Sequence, residues 1–317
     1  MQRRDFLALL SAALLIPPDL RAATTVTKLL VGATPGGGTD IVARSLAMEL
    51  ENRLGRTFIV DNKPGAAGNI AAGAVAKAEP DGGTLLLSYT SHAINPSLFQ
   101  KLPFDTLKDF TPISLIASSP LILVARPSLK AGNLRDVIAL AKAQPGHLSL
   151  AVAGVGSANH LAGEMLKAEA GVDIVSVPYK GAGPAVADVV GGQADLLLGN
   201  VATVQPLLSA GKLKAIAVST PQRLQAFPDV APIAEVVPGF DYSSWYGLFG
   251  PASMPADLVR QIEKAARAAV ASPATRQRLL KEGLVPVGSS AQDFAQFVRK
   301  EIDRWAKVVA VTHTKVA

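Results

Sequence analysis

The 317-residue chain contains no cysteine. Disulfides, thiol nucleophiles and cysteine-held metals are therefore excluded, and so is a lipid-modified cysteine at an export cleavage point. Histidine is almost as scarce. His92, His147, His160 and His313 are scattered singly, which argues against a histidine metal site. Aromatic residues are 5% of the chain and charged residues 18%, with no basic block, so nucleic acid is a poor partner. Long apolar runs are missing as well. The stretch Phe6 to Ile16 falls short of the roughly 20 residues a membrane-spanning helix needs, and later runs are broken by Gly, Pro and charge.

What the chain does have at its start is an export pattern. Arg3-Arg4-Asp5-Phe6-Leu7 leads into the apolar stretch, Pro17-Pro18 ends it, and Leu20-Arg21-Ala22-Ala23 offers a small-residue cleavage site. Residues 1–23 are expected to be a signal peptide of the twin-arginine type, the alternative being an ordinary secretory signal with two arginines. With no membrane insertion after cleavage, the expected location is the periplasm. The remaining 294 residues suffice for two domains. Loss of three arginines and two aspartates with the segment takes the formal charge from +6 to about +5, a mild field that favours anionic small molecules.

The most informative stretch is Leu29-Leu30-Val31-Gly32-Ala33-Thr34-Pro35-Gly36-Gly37-Gly38-Thr39-Asp40, followed by Ile41 to Leu54. It predicts a buried strand, a glycine turn and an amphipathic helix with Thr39 or Asp40 as N-cap. Gly32 and Gly37 have phosphate-loop spacing, but Gly38 replaces the lysine that reaches the terminal phosphates. The dinucleotide pattern starting at Gly36 and Gly38 fails at Ile41. Two readings stay open: a tight βα turn, or a helix start whose bare N–H groups hold a small carboxylate.

The pattern then repeats. Strand Thr57–Val60, a Gly/Ala loop over Lys63–Asn69, helix Ile70–Ala78 and strand Leu85–Leu87 form the first series, which ends in the polar cluster Ser88-Tyr89-Thr90-Ser91-His92. Strand Ser118–Pro127 follows. The second series is strand Leu148–Ala153, glycine loop Gly154–Asn159, helix His160–Ala170, strand Ile174–Val177, a loop around Tyr179, helix Pro184–Val190 and strand Leu196–Asn200. Two similar α/β lobes of mainly parallel sheet with flanking helices are expected, their polar strand ends facing across a cleft; the plainer reading is that α/β domains look alike. The expected lobes are residues 24–125 with 246–317, and residues 126–245. Strand Ser244–Pro251 returns the chain to the first lobe, so two crossings form a hinge.

Several markers together resemble one family. They are Pro35–Asp40, Asn62-Lys63-Pro64-Gly65-Ala66-Ala67-Gly68, Ala76–Gly82, Gly156–Glu164, Val177–Gly181 and Ala210–Ala215. The chain resembles the Bug-family solute-binding receptors of tripartite tricarboxylate transporters over essentially its whole mature length. That resemblance implies a two-lobed, type II-like periplasmic binding fold, a monomer, a small carboxylate ligand, no cofactor and a membrane permease of two subunits. Residue by residue, it implies ligand contacts at Gly36, Gly37, Gly38, Thr39 and Asp40 on one loop. On the other it implies Ala153, Gly154, Gly156, Ser157 and Asn159. Gly65, Ala66, Gly68, Asn69, Thr90, Ser91, His92, Tyr179 and Asn200 match further cleft positions. Asn200 stands where many members have an aspartate that meets an amino group, which points to a plain carboxylic acid. Gly83 replaces the turn's usual aromatic residue.

Enzymatic readings are weaker. Ser157 with His160, and Ser91 with His92, lack a partnered acid, and no Gly-x-Ser-x-Gly elbow is present. Ser157 is expected to cap a helix and Asp40 to cap rather than act as a base. Tyr179 and Trp245 either stack on a ligand or pack the hinge; Lys63 and Lys180 are expected to be solvated. The leading expectation is a transport receptor. The alternatives are a receptor for a membrane sensor kinase and a periplasmic hydrolase or isomerase of small acids.

Overall fold

Leu29, Leu30 and Val31 are all buried, and that double-sided burial is what a central parallel strand requires. The computed structural model describes residues 26–155 and 157–312. The expected signal peptide and Gly156 lie outside the described residues.

The first series folds as β1 (Thr27–Val31), α1 (Gly38–Leu54), β2 (Phe58–Asn62), α2 (Asn69–Val75) and β3 (Thr84–Tyr89). Its strands are parallel in the order β2-β1-β3. Strand alternation sends Leu29, Val31, Leu85 and Leu87 into one core with Val42, Leu46 and Leu50 of α1. Leu30 and Leu86 enter another. Helix α3 (Ser91–Leu98) follows β3 almost at once, where only a polar cluster was expected. Its eight residues include Pro96, which hid it.

Strand β4 (Phe110–Ala125) comes next, 16 residues long and begun well before the expected Ser118. Pro112 and Pro120 masked its length; the register with its neighbour shifts between Pro112 and Ser114, where a missing N–H is tolerated. After α4 (Leu134–Ala143), the second series folds as β5 (Ser149–Val152), α5 (Ala158–Ala170), β6 (Val175–Pro178), α6 (Ala182–Val190) and β7 (Leu196–Asn200). Its parallel order β6-β5-β7 repeats that of the first series. The chain ends with α7 (Val201–Ser209), β8 (Lys214–Val218), β9 (Ser243–Pro251), α8 (Ala256–Ala271), α9 (Pro273–Lys281), β10 (Val285–Pro286) and α10 (Ala291–Thr312).

β4 belongs to both halves. Phe110 to Pro120 pairs with β9, which also pairs with β3. Leu121 to Ala125 pairs with β7 and, from Ile122 onward, with β8. The two α/β halves thus share one continuous strand, and β9 lies against it on the first half's side. This is a two-lobed, type II-like arrangement with the glycine loops of both halves at one mouth. Helix α10 packs against α3, β4 and the second half's α5.

Candidate ligand cleft

The first glycine loop is shaped from beneath. A Cβ on Gly32 would lie 2.5 Å from Gly68 Cα, so the two loops touch backbone to backbone. Helix α1 begins at Gly38 with Gly37 as its N-cap and no side-chain cap, which corrects the expected cap at Thr39 or Asp40. Both residues lie inside the first turn. Asp40 reaches backward instead: its Oδ2 accepts from the Gly36 N–H at 3.0 Å and from Arg44 Nε at 2.9 Å. Its Oδ1 accepts from Asn62 Nδ2 at 3.0 Å. Burial alone raises this carboxyl's pKa, but the bonds from Arg44, Gly36 and Asn62 together hold it below the usual value. Asp40 therefore fixes the loop and is committed to protein partners.

The second loop of this half has four successive residues at positive φ: Gly65 at 125°, Ala66 at 46°, Ala67 at 52° and Gly68 at 90°. Left-handed alanine costs roughly 1–2 kcal/mol per residue. Asn95 helps hold the turn, its Nδ2 donating to the Ala67 carbonyl at 3.1 Å and to Asn69 Oδ1 at 2.6 Å.

Across the mouth, Ser157 caps α5 as expected, its Oγ accepting from the His160 N–H at 3.2 Å. Asn159 Nδ2 donates to the Leu198 carbonyl at 2.9 Å and lies 3.5 Å from Asn200 Oδ1. The His160 imidazole reaches Glu164, its Nε2 lying 3.5 Å from Oε1. Burial raises the Glu164 pKa, yet His160, Lys167 and Ser176 overcome it and bring it to about 2. An imidazole engaged with that carboxylate is badly placed to activate Ser157.

Between these loops lies a cavity of about 590 Å³. From the first half it is lined by Thr39, Ala66, Ala67, Tyr89, Thr90, Ser91, Leu98, Phe99, Ser244 and Tyr246. From the second half come Ala153, Gly154, Val155, Ser157, Ala158 and Asn159. Of the residues expected from sequence, Thr39, Ala66, Thr90, Ser91, Ala153, Gly154, Ser157 and Asn159 line it.

Others do not. Gly36, Gly37, Gly38, Asp40, Gly65, Gly68 and Asn69 shape its walls without lining it. His92 is fully buried among Phe104, Phe110 and Phe249, with ring centroids 4.8 Å from Phe110 and 4.7 Å from Phe249. Desolvation drives its pKa down to about 3. Tyr179 directs its hydroxyl to Asp188 Oδ2 at 2.8 Å, and Asn200 lies on Asn159 at the start of α7. Trp245, the other aromatic in question, is core: it is 1% exposed and its Nε1 donates to Glu301 Oε2 at 3.0 Å.

Ala67, Tyr89, Val155 and Ala158 line it from within the loops and cluster singled out in the sequence, and Leu98, Phe99, Ser244 and Tyr246 were missed altogether. The last two had a signal: once Trp245 is inward on a strand, Ser244 and Tyr246 must face the other side. Tyr246 places its hydroxyl over α1, where a Cβ on Gly38 would meet it at 2.6 Å. Burial lifts its pKa to about 12, so the phenol stays protonated and able to donate. Leu98 and Phe99 lie at the end of the helix that Pro96 concealed.

None of the sixteen lining residues is charged. Neutral donors on both walls suit non-covalent capture, and among the described residues no cluster of three His, Cys, Asp or Glu is placed to hold a metal. The fold and cleft define a solute-binding receptor. The chain belongs to the tripartite tricarboxylate transporter family receptors (TctC), whose family model matches residues 42–313. It is 36% identical over 292 residues to Protein BugT of Bordetella pertussis, covering 91% of this chain and 90% of that one. Among solved structures, R. palustris Rpa4515 with adipate superposes with a TM-score of 0.79 at 35% identity, over 92% of this chain and 99% of that one. MatC (Rpa3494) from Rhodopseudomonas palustris with bound malate gives 0.75 at 34% identity, over 90% and 99%.

Proposed function

We propose that this chain is a periplasmic receptor that closes over a small carboxylate and delivers it to a two-subunit tripartite tricarboxylate-type permease. One observation carries the reading: a cavity walled from both halves by hydroxyls, an asparagine amide and a bare helix start, with no side chain that would repel an anion. The adipate and malate held by relatives at 35% and 34% identity support the ligand class.

The moving parts are the lobes 24–125 with 246–317 and 126–245. The hinge we assign lies at Pro120–Leu121 and near Tyr242–Ser243, a few residues before those boundaries, because β4 exchanges partners there. The arginine pair and apolar stretch at the N-terminus support export, by the twin-arginine route and without later membrane insertion. The receptor acts as a monomer and turns nothing over.

The test is calorimetry and thermal melting of the mature protein with a panel of small carboxylates, beside turnover assays on the same acids. Saturable binding without product supports the receptor; product formation, or no binding by any acid, overturns it. Scattering with a bound acid should show compaction, and an unchanged radius would remove the hinge.

A further inference from the structure

The cavity is zoned. At one end Tyr246 lies over the start of α1, Thr39 follows in its first turn, and Ser91 stands at the head of α3. At the other, the cavity is lined by Ala66 and Ala67 and, at the tail of the same helix, by Leu98 and Phe99. Ala66 and Phe99 also both line an outer groove of about 280 Å³. Seven residues of α3 separate Ser91 from Leu98, roughly 10 Å at 1.5 Å per residue. One end therefore offers the hydroxyls of Thr39, Ser91 and Tyr246, and the other offers four apolar side chains, with the Tyr89 hydroxyl beside Gly68.

Resting on the carboxylate reading above, we infer that the ligand is a carboxylate with an extended hydrocarbon or aromatic body and no ammonium group. The carboxylate sits at the Thr39 end and the body runs along α3 to Phe99. An amino acid is excluded on the same grounds: no carboxylate lines the cavity, and Asp40, next to Thr39 in α1, is already bonded to Gly36, Arg44 and Asn62. A densely hydroxylated acid would leave hydroxyls unpaired against Ala66, Ala67, Leu98 and Phe99.

Calorimetry decides it with propionate, hexanoate, adipate and 3-phenylpropionate against malate, citrate and glutamate. Each methylene buried at the apolar end is worth about fourfold in affinity. Hexanoate should therefore bind at least tenfold more tightly than propionate, and the best hydrocarbon acid at least tenfold more tightly than malate, citrate or glutamate. Two variants localise the body. Phe99→Ser, and Ala66→Asn, which suits positive φ, should each weaken hexanoate tenfold while leaving propionate within twofold. Affinity independent of chain length overturns the inference, as does a preference for malate, citrate or glutamate, or an equal loss for both acids in a folded variant. If no acid binds at all, propionate included, the carboxylate reading itself fails, which is a separate result.

Discussion

Ser219 and Tyr242 exchange two hydrogen bonds: the Tyr242 N–H donates to the Ser219 carbonyl at 2.9 Å, and Ser219 Oγ donates to the Tyr242 carbonyl at 2.6 Å. Ser219 does the same with the other crossing. Its Oγ accepts from the Leu121 N–H at 2.9 Å, and its own N–H donates to the Leu121 carbonyl at 2.9 Å. One buried serine thus ties together the two places where the chain passes between halves.

Ser219→Ala leaves the Leu121 N–H and the Tyr242 carbonyl short of a partner in a dry setting. Each costs about 1–3 kcal/mol, so urea unfolding should register a loss of roughly 2–6 kcal/mol. A loss below about 0.5 kcal/mol would mean that water replaces the hydroxyl and that the knot is not what joins the crossings.

Gly37 and Gly38 should behave oppositely although they are adjacent. A Cβ on Gly37 meets nothing nearer than the Thr34 carbonyl at 3.8 Å, whereas one on Gly38 strikes the Tyr246 hydroxyl. Gly37→Ala should melt like the parent. Gly38→Ala should lose about 1–3 kcal/mol by overpacking, and Tyr246→Phe in the same chain should restore part of it. Equal melting of the two glycine variants would refute the contact.

Much of this was legible in the chain. Glycine loops between apolar strands announced both βαβ units, because parallel strands need buried faces and tight turns in one order. What escaped depended on tertiary context. Pro96 and Pro206 hid two short helices, and with α3 went Leu98 and Phe99. His92 read as a cleft residue because it belongs to the polar cluster at the end of β3, but helical geometry turns it into the Phe104, Phe110 and Phe249 cage. Asp40 read as a cap because it stands at a helix start, yet loop closure onto Gly36 uses its carboxylate. Neighbours in sequence part company wherever a helix starts.

His92 also predicts a pH dependence. Its folded pKa of about 3 lies below the ordinary histidine value of 6.5, so the unfolded chain binds this proton first. Stability is unaffected above about pH 6.5 and falls as the pH drops from there toward 3, by about 1.4 kcal/mol per unit. Between pH 7 and 5 the loss from this group should be roughly 2 kcal/mol. His92→Phe removes it, and the buried Nε2 of His92 has no hydrogen-bond partner to lose. Urea titrations of both proteins at pH 7 and 5 should diverge by that amount; parallel behaviour would show that His92 is hydrated and titrates normally.

The remaining prediction concerns the two hydroxyls that face the cavity from opposite halves, Thr39 and Ser157. If one carboxylate bridges the lobes, each donates to it, at about 1.5–3 kcal/mol for a bond to a charged group. Thr39→Val and Ser157→Ala should each cost about ten- to a hundredfold in affinity. Their effects on folding should differ. Ser157 caps α5 and its loss should lower stability by about 1 kcal/mol, whereas Thr39 makes no cap and its replacement should leave melting almost unchanged. Calorimetry and melting of both single variants and the double separate the roles. Undiminished affinity in both would reduce Ser157 to a helix cap and end the bridging model. Because each lobe must grip the same anion for the cleft to close, the double variant should lose less than the sum of the singles. Additive losses would mean two independent contacts made to a cleft that is closed already.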